Sequence, residues 1–321
     1  MQGKVTTEET ASVYVGVDVC KDHLDVCLHP LGERFRVGND RDGRRALVRR
    51  LGRHKVALVA MEPTSKYHRS AHRQLATAGF AVALVNPLRA RLFAEACGRL
   101  AKTDAIDAAM LALMAERLAP APTAPPTLAE EQLEELASAR SSAIAERVAL
   151  DNRRSMASAP FLRRELAARL RSLDRHIARL EREIDIAIAA DPATARRAEI
   201  LRSIPGVGPV TTIAFLAWMR EIGQLNAKQA AALAGLAPVA HDSGPARGKR
   251  RIRGGRGALR TTLYMAALVA SQRNPDLKRF YQQLKSRGKP PKLALTAVAR
   301  KLVILANRLV SENRTWMPLA S

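Results

Sequence analysis

Val13 to Val19 reads VYVGVDV, a short β-branched run that predicts a strand. A second run follows at His23 to Leu28, then a Pro30-Leu31-Gly32 turn and a third short run around Phe35 to Val37, so the chain opens as a strand meander. Beyond Asn39-Asp40 the pattern turns helical to about Arg53. Val56 to Met61 predicts another strand, Lys66 to Ala78 a helix, Phe80 to Val85 a strand, and Leu88 onward is mostly helix. The order is βββαβαβα.

Three antiparallel strands followed by alternating strands and helices is the order of the ribonuclease-H-like fold, an α/β class. Four carboxylates acquire meaning in that frame. Asp18 lies in the first strand, Glu62 directly follows Val56 to Met61, and Asp104 and Asp107 sit three apart on one helical face. The first and fourth strands of such a sheet are neighbours, so Asp18 and Glu62 end side by side, and the last helix can carry its acidic pair across them. Mutual repulsion forbids that cluster without cations. Two Mg²⁺ ions, typically about 3.5–4 Å apart, would neutralise it and polarise the attacking and leaving oxygens of a phosphodiester. Taken singly, each of the four is also readable as a solvated surface charge.

The charge balance points to a polyanionic partner. The 321 residues hold 53 Lys and Arg against 30 Asp and Glu, a formal charge of +23. The excess is uneven: residues 1–120 carry +6, residues 121–200 are neutral, and residues 201–321 carry +17. Each Lys or Arg that meets a phosphate releases condensed counterions, so the last third is the nucleic-acid candidate. Aromatics make up only 4 % of the chain, too few for stacking platforms, which favours backbone and duplex contacts. A 47 % hydrophobic content excludes wholesale disorder, and the length suits two or three domains. No apolar run reaches the roughly 18 residues of a membrane span. MQGKVTTEET lacks the apolar region of a signal peptide, so a cytoplasmic location without membrane contact is expected. Cys20, Cys27 and Cys97 form no CxxC pair and have no His at ligand spacing; they read as small buried hydrophobes.

The remaining organisation is helical. Ala119 to Thr127, APAPTAPPT, has four prolines in nine residues and cannot continue a helix, which separates a domain over residues 1–120 from a new unit near Leu128 by a linker over 121–127. Leu166, Leu170, Leu173, Ile177, Leu180 and Ile184 are spaced 4, 3, 4, 3, 4, an a/d seam that predicts a coiled-coil assembly segment within 128–195. Pro160 divides it from an earlier amphipathic stretch around Leu133 to Leu150, giving either an antiparallel hairpin or a kinked helix. An ordinary helix packed on its neighbour would give the same spacing. In the final domain, 196–321, Ile204-Pro205-Gly206-Val207-Gly208 resembles the turn of helix-hairpin-helix elements, whose N–H groups cradle a phosphate; a plain helix connection reads equally well.

His241-Asp242-Ser243-Gly244 opens a stretch, Gly244 to Arg260, with seven Arg or Lys, five Gly and no acid. It reads as a flexible cationic loop in which glycines admit a phosphate and Arg247, Lys249, Arg250, Arg251, Arg253 and Arg256 bind it. Ser243 at its mouth is a candidate nucleophile, although a serine hydroxyl needs a base or metal to activate it; the bland alternative is a Ser-Gly turn beside a nucleic-acid grip.

These motifs together, VGVDV at Asp18, MEPTSKYH at Glu62, Asn86-Pro87, KTDAIDA at Asp104 and Asp107, IPGVGPVTT, GLAPVAHDSG and RGKRRIRGGRGALRTTLYMAAL, resemble the DEDD-type insertion-sequence transposases guided by a bridge RNA and the related pilin-gene inverting recombinases. The likeness spans almost the whole chain. It implies a RuvC-like N-terminal domain, a coiled-coil middle and a C-terminal transposase domain. It further implies that Asp18, Glu62, Asp104 and Asp107 bind Mg²⁺ and that Ser243 forms a transient phosphoserine link with a DNA strand. The resemblance draws the two sets from different protomers of a homo-oligomer, with donor and target DNA and a structured bridge RNA as partners. Arg253 to Gly257, RGGRG, is more glycine-rich than the Lys/Arg-Gly-Asn pattern of much of that family. Two other readings remain at this stage: a metal-dependent hydrolase of branched DNA that uses the tetrad alone, and a non-catalytic nucleic-acid-binding protein.

Overall fold

The β-branched runs and proline breaks of the sequence resolve into two compact units, Met1–Pro126 and Thr127–Ser321, in a computed structural model that describes residues 12–98, 104–240, 242–243, 246–248 and 250–318. Lys249 and His241 lie outside the described residues, and the side chains of Asp104, Ser243 and Arg247 are likewise not described.

The first unit is built on β1 (Val13–Val19), β2 (His23–His29), β3 (Glu33–Gly38), α1 (Arg41–Leu51), β4 (Val56–Met61), α2 (His68–Thr77), β5 (Val82–Leu84), α3 (Pro87–Ala96) and α4 (Asp104–Leu118). Its five strands lie in the order β3-β2-β1-β4-β5. The pairs β1/β2 and β2/β3 are antiparallel, whereas β1/β4 and β4/β5 are parallel. This is a mixed sheet, and the expected element order holds, with β5 cut to three residues and the last helical stretch divided into α3 and α4.

Strand alternation explains how the two faces are covered. Val13, Val15, Val17 and Val19 are buried with Leu47 and Leu51 of α1 and Ala71 and Leu75 of α2. The opposite face receives α4 through small residues: Ala108 and Ala112 pack on Cys27, and Leu111, Met114 and Ala115 pack on Leu58, Ala60 and Ala83. Gly16 is required there, because a Cβ on it would fall inside the Ala108 carbonyl and the Ala112 nitrogen. Of the three cysteines, all free, only Cys27 is the buried hydrophobe expected; Cys20 is half-buried and Cys97 exposed.

The proline-rich stretch is not a loose tether. Thr123 N–H donates to Val82 O at 2.7 Å, the Thr123 hydroxyl oxygen accepts from Leu84 N–H at 3.4 Å, and His72 Nε2 lies 2.7 Å from Thr123 O. Extended prolines offer no N–H donors, and Thr123, which has both an N–H and a hydroxyl, edges β5.

In the second unit α5 (Leu128–Met156) starts at a capping box of Thr127 and Glu130, and α6 (Pro160–Ala190) follows after a three-residue break. They form an antiparallel hairpin, not a kinked helix: Arg140 pairs with Glu181 and Arg147 with Asp174, so partner numbers rise on one helix as they fall on the other. Leu170 and Ile184 of the a/d seam are buried, while Leu166, Leu173, Ile177 and Leu180 are half-buried. The hairpin and the C-terminal region share one core. Leu133, Ala137, Ile184 and Ile188 join a cluster with Phe215, Leu216, Leu259, Leu263, Leu302 and Leu309.

That cluster draws on α7 (Pro192–Arg202), α8 (Pro209–Trp218), α9 (Ala227–Leu233), α10 (Gly257–Arg273), α11 (Pro275–Ser286) and α12 (Pro291–Ser311). The short strands β6 (Pro238–Val239), β7 (Asp242–Ser243), β8 (Ala246–Arg247) and β9 (Arg251–Ile252) lie between α9 and α10. Buried Asn307 ties the loop before α9 to α12: its Oδ1 accepts from Gly223 N–H at 2.8 Å and its Nδ2 donates to Leu225 O at 2.6 Å. Among the described residues no helix is long and apolar enough to cross a membrane.

Candidate functional site

The first unit gathers carboxylates at one end of its sheet. Tyr14 and Gly16 face α3 and α4, and so by alternation does Asp18. On the neighbouring parallel strand Val17 pairs with Met61, and Leu58 and Ala60 face α4, so Glu62, next after Met61, continues that alternation beside Asp18. The direction of α4 brings in the third group. Near its C-terminal end Glu116 lies 3.3 Å from His29, the partner of Tyr14, while Ala108 rests on Gly16. The helix therefore runs antiparallel to β1, and its first turn, with Asp104 and Asp107, lies at the level of Asp18. Asp18, Glu62 and Asp107 are all half-buried.

Their hard oxygen donors suit Mg²⁺, and their placement on one face at one sheet end suits a shared cation. Among the described residues no three His, Cys, Asp or Glu side chains close tightly enough to enclose an ion. The oxygen donor set has the chemistry that divalent cations take, and the side chain of Asp104 stands outside that count.

Sequence reasoning missed a further carboxylate. Asp25 pairs directly with Asp18 across the β1/β2 ladder, and Arg36 pairs with Asp25 across β2/β3. Asp25 is 9 % exposed, and Arg36 holds it through Nε to Oδ1 and Nη2 to Oδ2, both at 2.8 Å. The signal was present: a hairpin centred on Lys21-Asp22 sets Asp25 opposite Asp18.

In the second unit the expected flexible loop is instead a two-stage hairpin. Pro238 and Val239 pair with Ile252 and Arg251, and further out Asp242 pairs with Arg247 and Ser243 with Ala246. Ser243, paired with Ala246, belongs to the outer stage. β-capable Val239 and Ile252 favour the inner pairing.

The glycines of RGGRG have a packing role. Gly254 and Gly255 adopt φ of +72° and +68°, and a Cβ on Gly255 would strike the Gly235 backbone. Two turns interlock backbone to backbone, and the Arg260 guanidinium donates to Gly254 O at 2.7 Å. Arg256 departs from the expected phosphate grip. Its Nη1 donates to Trp218 O and Glu221 Oε2 and its Nη2 to Glu221 Oε1, all at 2.7 Å. Burial pushes the Glu221 carboxyl up, but the hydrogen bonds and charge of Arg256 outweigh it and hold it below the usual glutamate value. Arg256 thus anchors the base of the hairpin. Arg250, Arg251 and Arg253 are exposed along its inner stage.

At Ile204 to Gly208 the two glycines differ. A Cβ on Gly206, at φ +105°, would strike Ala270 of α10, so Gly206 is fixed by helix packing, as in the plain connecting turn. Gly208 is exposed with nothing within 4 Å of a Cβ, at the N-terminus of α8, where no side chain caps the helix.

Residues 15–157 match the DEDD transposase family of IS110, and residues 198–282 match the transposase family IS116/IS110/IS902. The chain is similar to the pilin gene-inverting proteins of Moraxella bovis and Moraxella lacunata, 26 % identical to each over 316 residues, covering 95 % of this chain and 98 % of the relative. It is also 33 % identical over 163 residues, 48 % of this chain and 38 % of the relative, to an uncharacterized protein of insertion element IS116 from Streptomyces clavuligerus. Two transposase regions of the IS110 and IS116/IS110/IS902 families are thus matched in order along the chain, and the similarity to pilin gene-inverting proteins runs over nearly its full length.

Proposed function

We propose that the protein is an RNA-guided DNA recombinase that exchanges strands through a serine-linked intermediate, with Asp18, Glu62, Asp104 and Asp107 holding Mg²⁺. The observation that carries the reading is the convergence of Asp18, Glu62 and the first turn of α4 on one face at one end of the sheet. The strand order 3-2-1-4-5 supports a ribonuclease-H-like, RuvC-like assignment of the first unit. A bound divalent cation would neutralise the carboxylates and stabilise charge gathering on phosphodiester oxygens.

Ser243 supplies the nucleophile. Its Oγ bonds to phosphorus and gives up its proton as the bond to one strand oxygen breaks, and that strand end leaves as a hydroxyl. Attack by the hydroxyl of a second strand reverses the sequence, so one phosphodiester is exchanged for another without hydrolysis. Arg250, Arg251 and Arg253, with Arg247 and Lys249 close by in sequence, neutralise nucleic-acid phosphates. Gly208 presents the uncapped N-terminus of α8 to a further phosphate. In this reading donor and target DNA are selected by base pairing to a structured bridge RNA while the protein reads shape and backbone. The active species is a homo-oligomer, dimer or tetramer.

A trapping assay tests the proposal. Protein is incubated with donor and target DNA, RNA from the flanking element end and Mg²⁺, then denatured and mapped by mass spectrometry. A DNA adduct on Ser243, lost in Ser243→Ala and in Asp18→Ala, is the expected result. Cut DNA without an adduct would instead establish hydrolysis, and normal cutting by Ser243→Ala would remove the serine from the mechanism.

A further inference from the structure

Asp18, Asp25 and Arg36 form one row across three adjacent strands. Directly opposed like charges destabilise a ladder, so two carboxylates facing each other on β1 and β2 call for compensation. The compensation is specific. Arg36 grips both oxygens of Asp25, and His23 Nε2 stands 3.4 Å from Asp25 Oδ2. Asp25 also lines a cavity of about 290 Å³ with Arg34, Arg36 and Ala108, the residue next to Asp107, so it sits on the face that α4 covers. The pair is asymmetric: the Asp25 side chain is 12 % exposed and that of Arg36 is 56 % exposed.

We propose that Arg36 is a positioning residue of the carboxylate centre: by occupying both oxygens of Asp25 it keeps a fifth carboxylate out of the cation's ligand set. The inference rests on the reading of Asp18, Glu62, Asp104 and Asp107 as cation ligands, and it adds a determinant of cation affinity and selectivity. An unoccupied Asp25 would add one negative charge and one or two oxygen donors a single strand spacing from Asp18. Extra charge tightens binding of any divalent cation, and extra donors favour Ca²⁺, which takes six to eight oxygens, over the octahedral Mg²⁺. Arg36 thus selects for the smaller ion.

The test is cation binding by the full-length protein without nucleic acid, read from the free Mn²⁺ signal in electron paramagnetic resonance with Mg²⁺ and Ca²⁺ as competitors. Arg36→Gln is expected to bind Mn²⁺ roughly tenfold more tightly, the size of effect a nearby unit charge exerts at high effective dielectric. It should also gain Ca²⁺ affinity relative to Mg²⁺. Asp25→Asn combined with Arg36→Gln should return to the wild-type value, and Arg36→Lys should stay near it. A pair that only fastens β3 to β2 would lower the melting temperature in these variants and leave affinity and ion preference unchanged, which would overturn the inference. Should Arg36→Gln fail to fold, Asp25→Asn alone against the double variant carries the same comparison: the uncompensated Arg36 weakens Mn²⁺ binding, and its removal restores it. Asp18→Ala separates the two levels. If it leaves Mn²⁺ binding intact, the carboxylate-centre reading fails; if it abolishes binding while Arg36→Gln changes nothing, only the role of Arg36 fails.

Discussion

The backbone of Ala108 lies directly on Gly16, so close that no side chain fits between β1 and α4. Two residues beyond Gly16 is Asp18, and one residue before Ala108 is Asp107, so this contact sets the separation of two proposed ligands. Gly16→Ala forces α4 off the sheet. Overpacking of this kind costs about 3 kcal/mol or more when the obstacle is backbone, which cannot rotate away. The expected outcome is a lower urea midpoint together with loss of strand cleavage. A variant with normal cleavage would mean that the α4 register does not govern the chemistry.

The Glu221–Arg256 clamp makes stability depend on pH in a defined direction. The carboxyl pKa is lowered in the folded protein, so its contribution is complete above the ordinary glutamate value of about 4.3 and is lost as pH falls through the folded value. Glu221→Gln should destabilise by about 1–3 kcal/mol at neutral pH, the cost of breaking charged hydrogen bonds. The gap between variant and wild type should close as the pH is lowered below about 4. Thermal melts of both proteins across that range check the sign.

Because the base of the α5–α6 hairpin shares a core with the C-terminal helices, seam positions differ in weight. Ile184 is fully buried within that core, and Ile184→Ala should cost about 2–5 kcal/mol and unfold the hairpin base and the C-terminal helices together. Leu173 is only half-buried, and Leu173→Ala should cost less than Ile184→Ala. Amide exchange that separates into an independent hairpin and an independent helical core would contradict the shared-core description.

Salt dependence distinguishes the arginines of the β6–β9 hairpin. Arg251→Ala and Arg253→Ala should each weaken duplex binding and reduce the slope of log affinity against log salt by about 0.9, the loss of one phosphate contact. Arg256→Ala should mainly lower the melting temperature, since its guanidinium is engaged by Glu221 and Trp218. Slopes unchanged from wild type for Arg251→Ala and Arg253→Ala would show that neither meets phosphate, and a slope reduced equally by Arg256→Ala would show that its guanidinium does.

Much of the first unit was legible because valine runs and proline breaks act locally. Val13 to Val19 and Val56 to Met61 appear as strands at the expected residues, and Pro160 marks the turn between the long helices. What was hidden depends on partners distant in sequence. Gly206 and Gly255 looked like phosphate-admitting glycines until Ala270 and Gly235 supplied packing reasons for them. Arg256 read as one more cation in a basic run, because Glu221, 35 residues upstream, is joined to it only by the fold. Asp25 carries no motif of its own within the second strand, and only the ladder register sets it against Asp18.

The two ion pairs that staple α5 to α6 stand one heptad apart on each helix, Arg140 to Arg147 and Asp174 to Glu181. The hairpin is therefore modular in length. Excising one heptad from α5 and the facing heptad from α6 preserves the seam and shortens the arm by about 10 Å, since seven residues rise about 1.5 Å each. Adding a heptad to both lengthens it by as much. The segment can thus serve as a molecular ruler, adjustable in fixed steps while the two sites of the protein keep their own sequences.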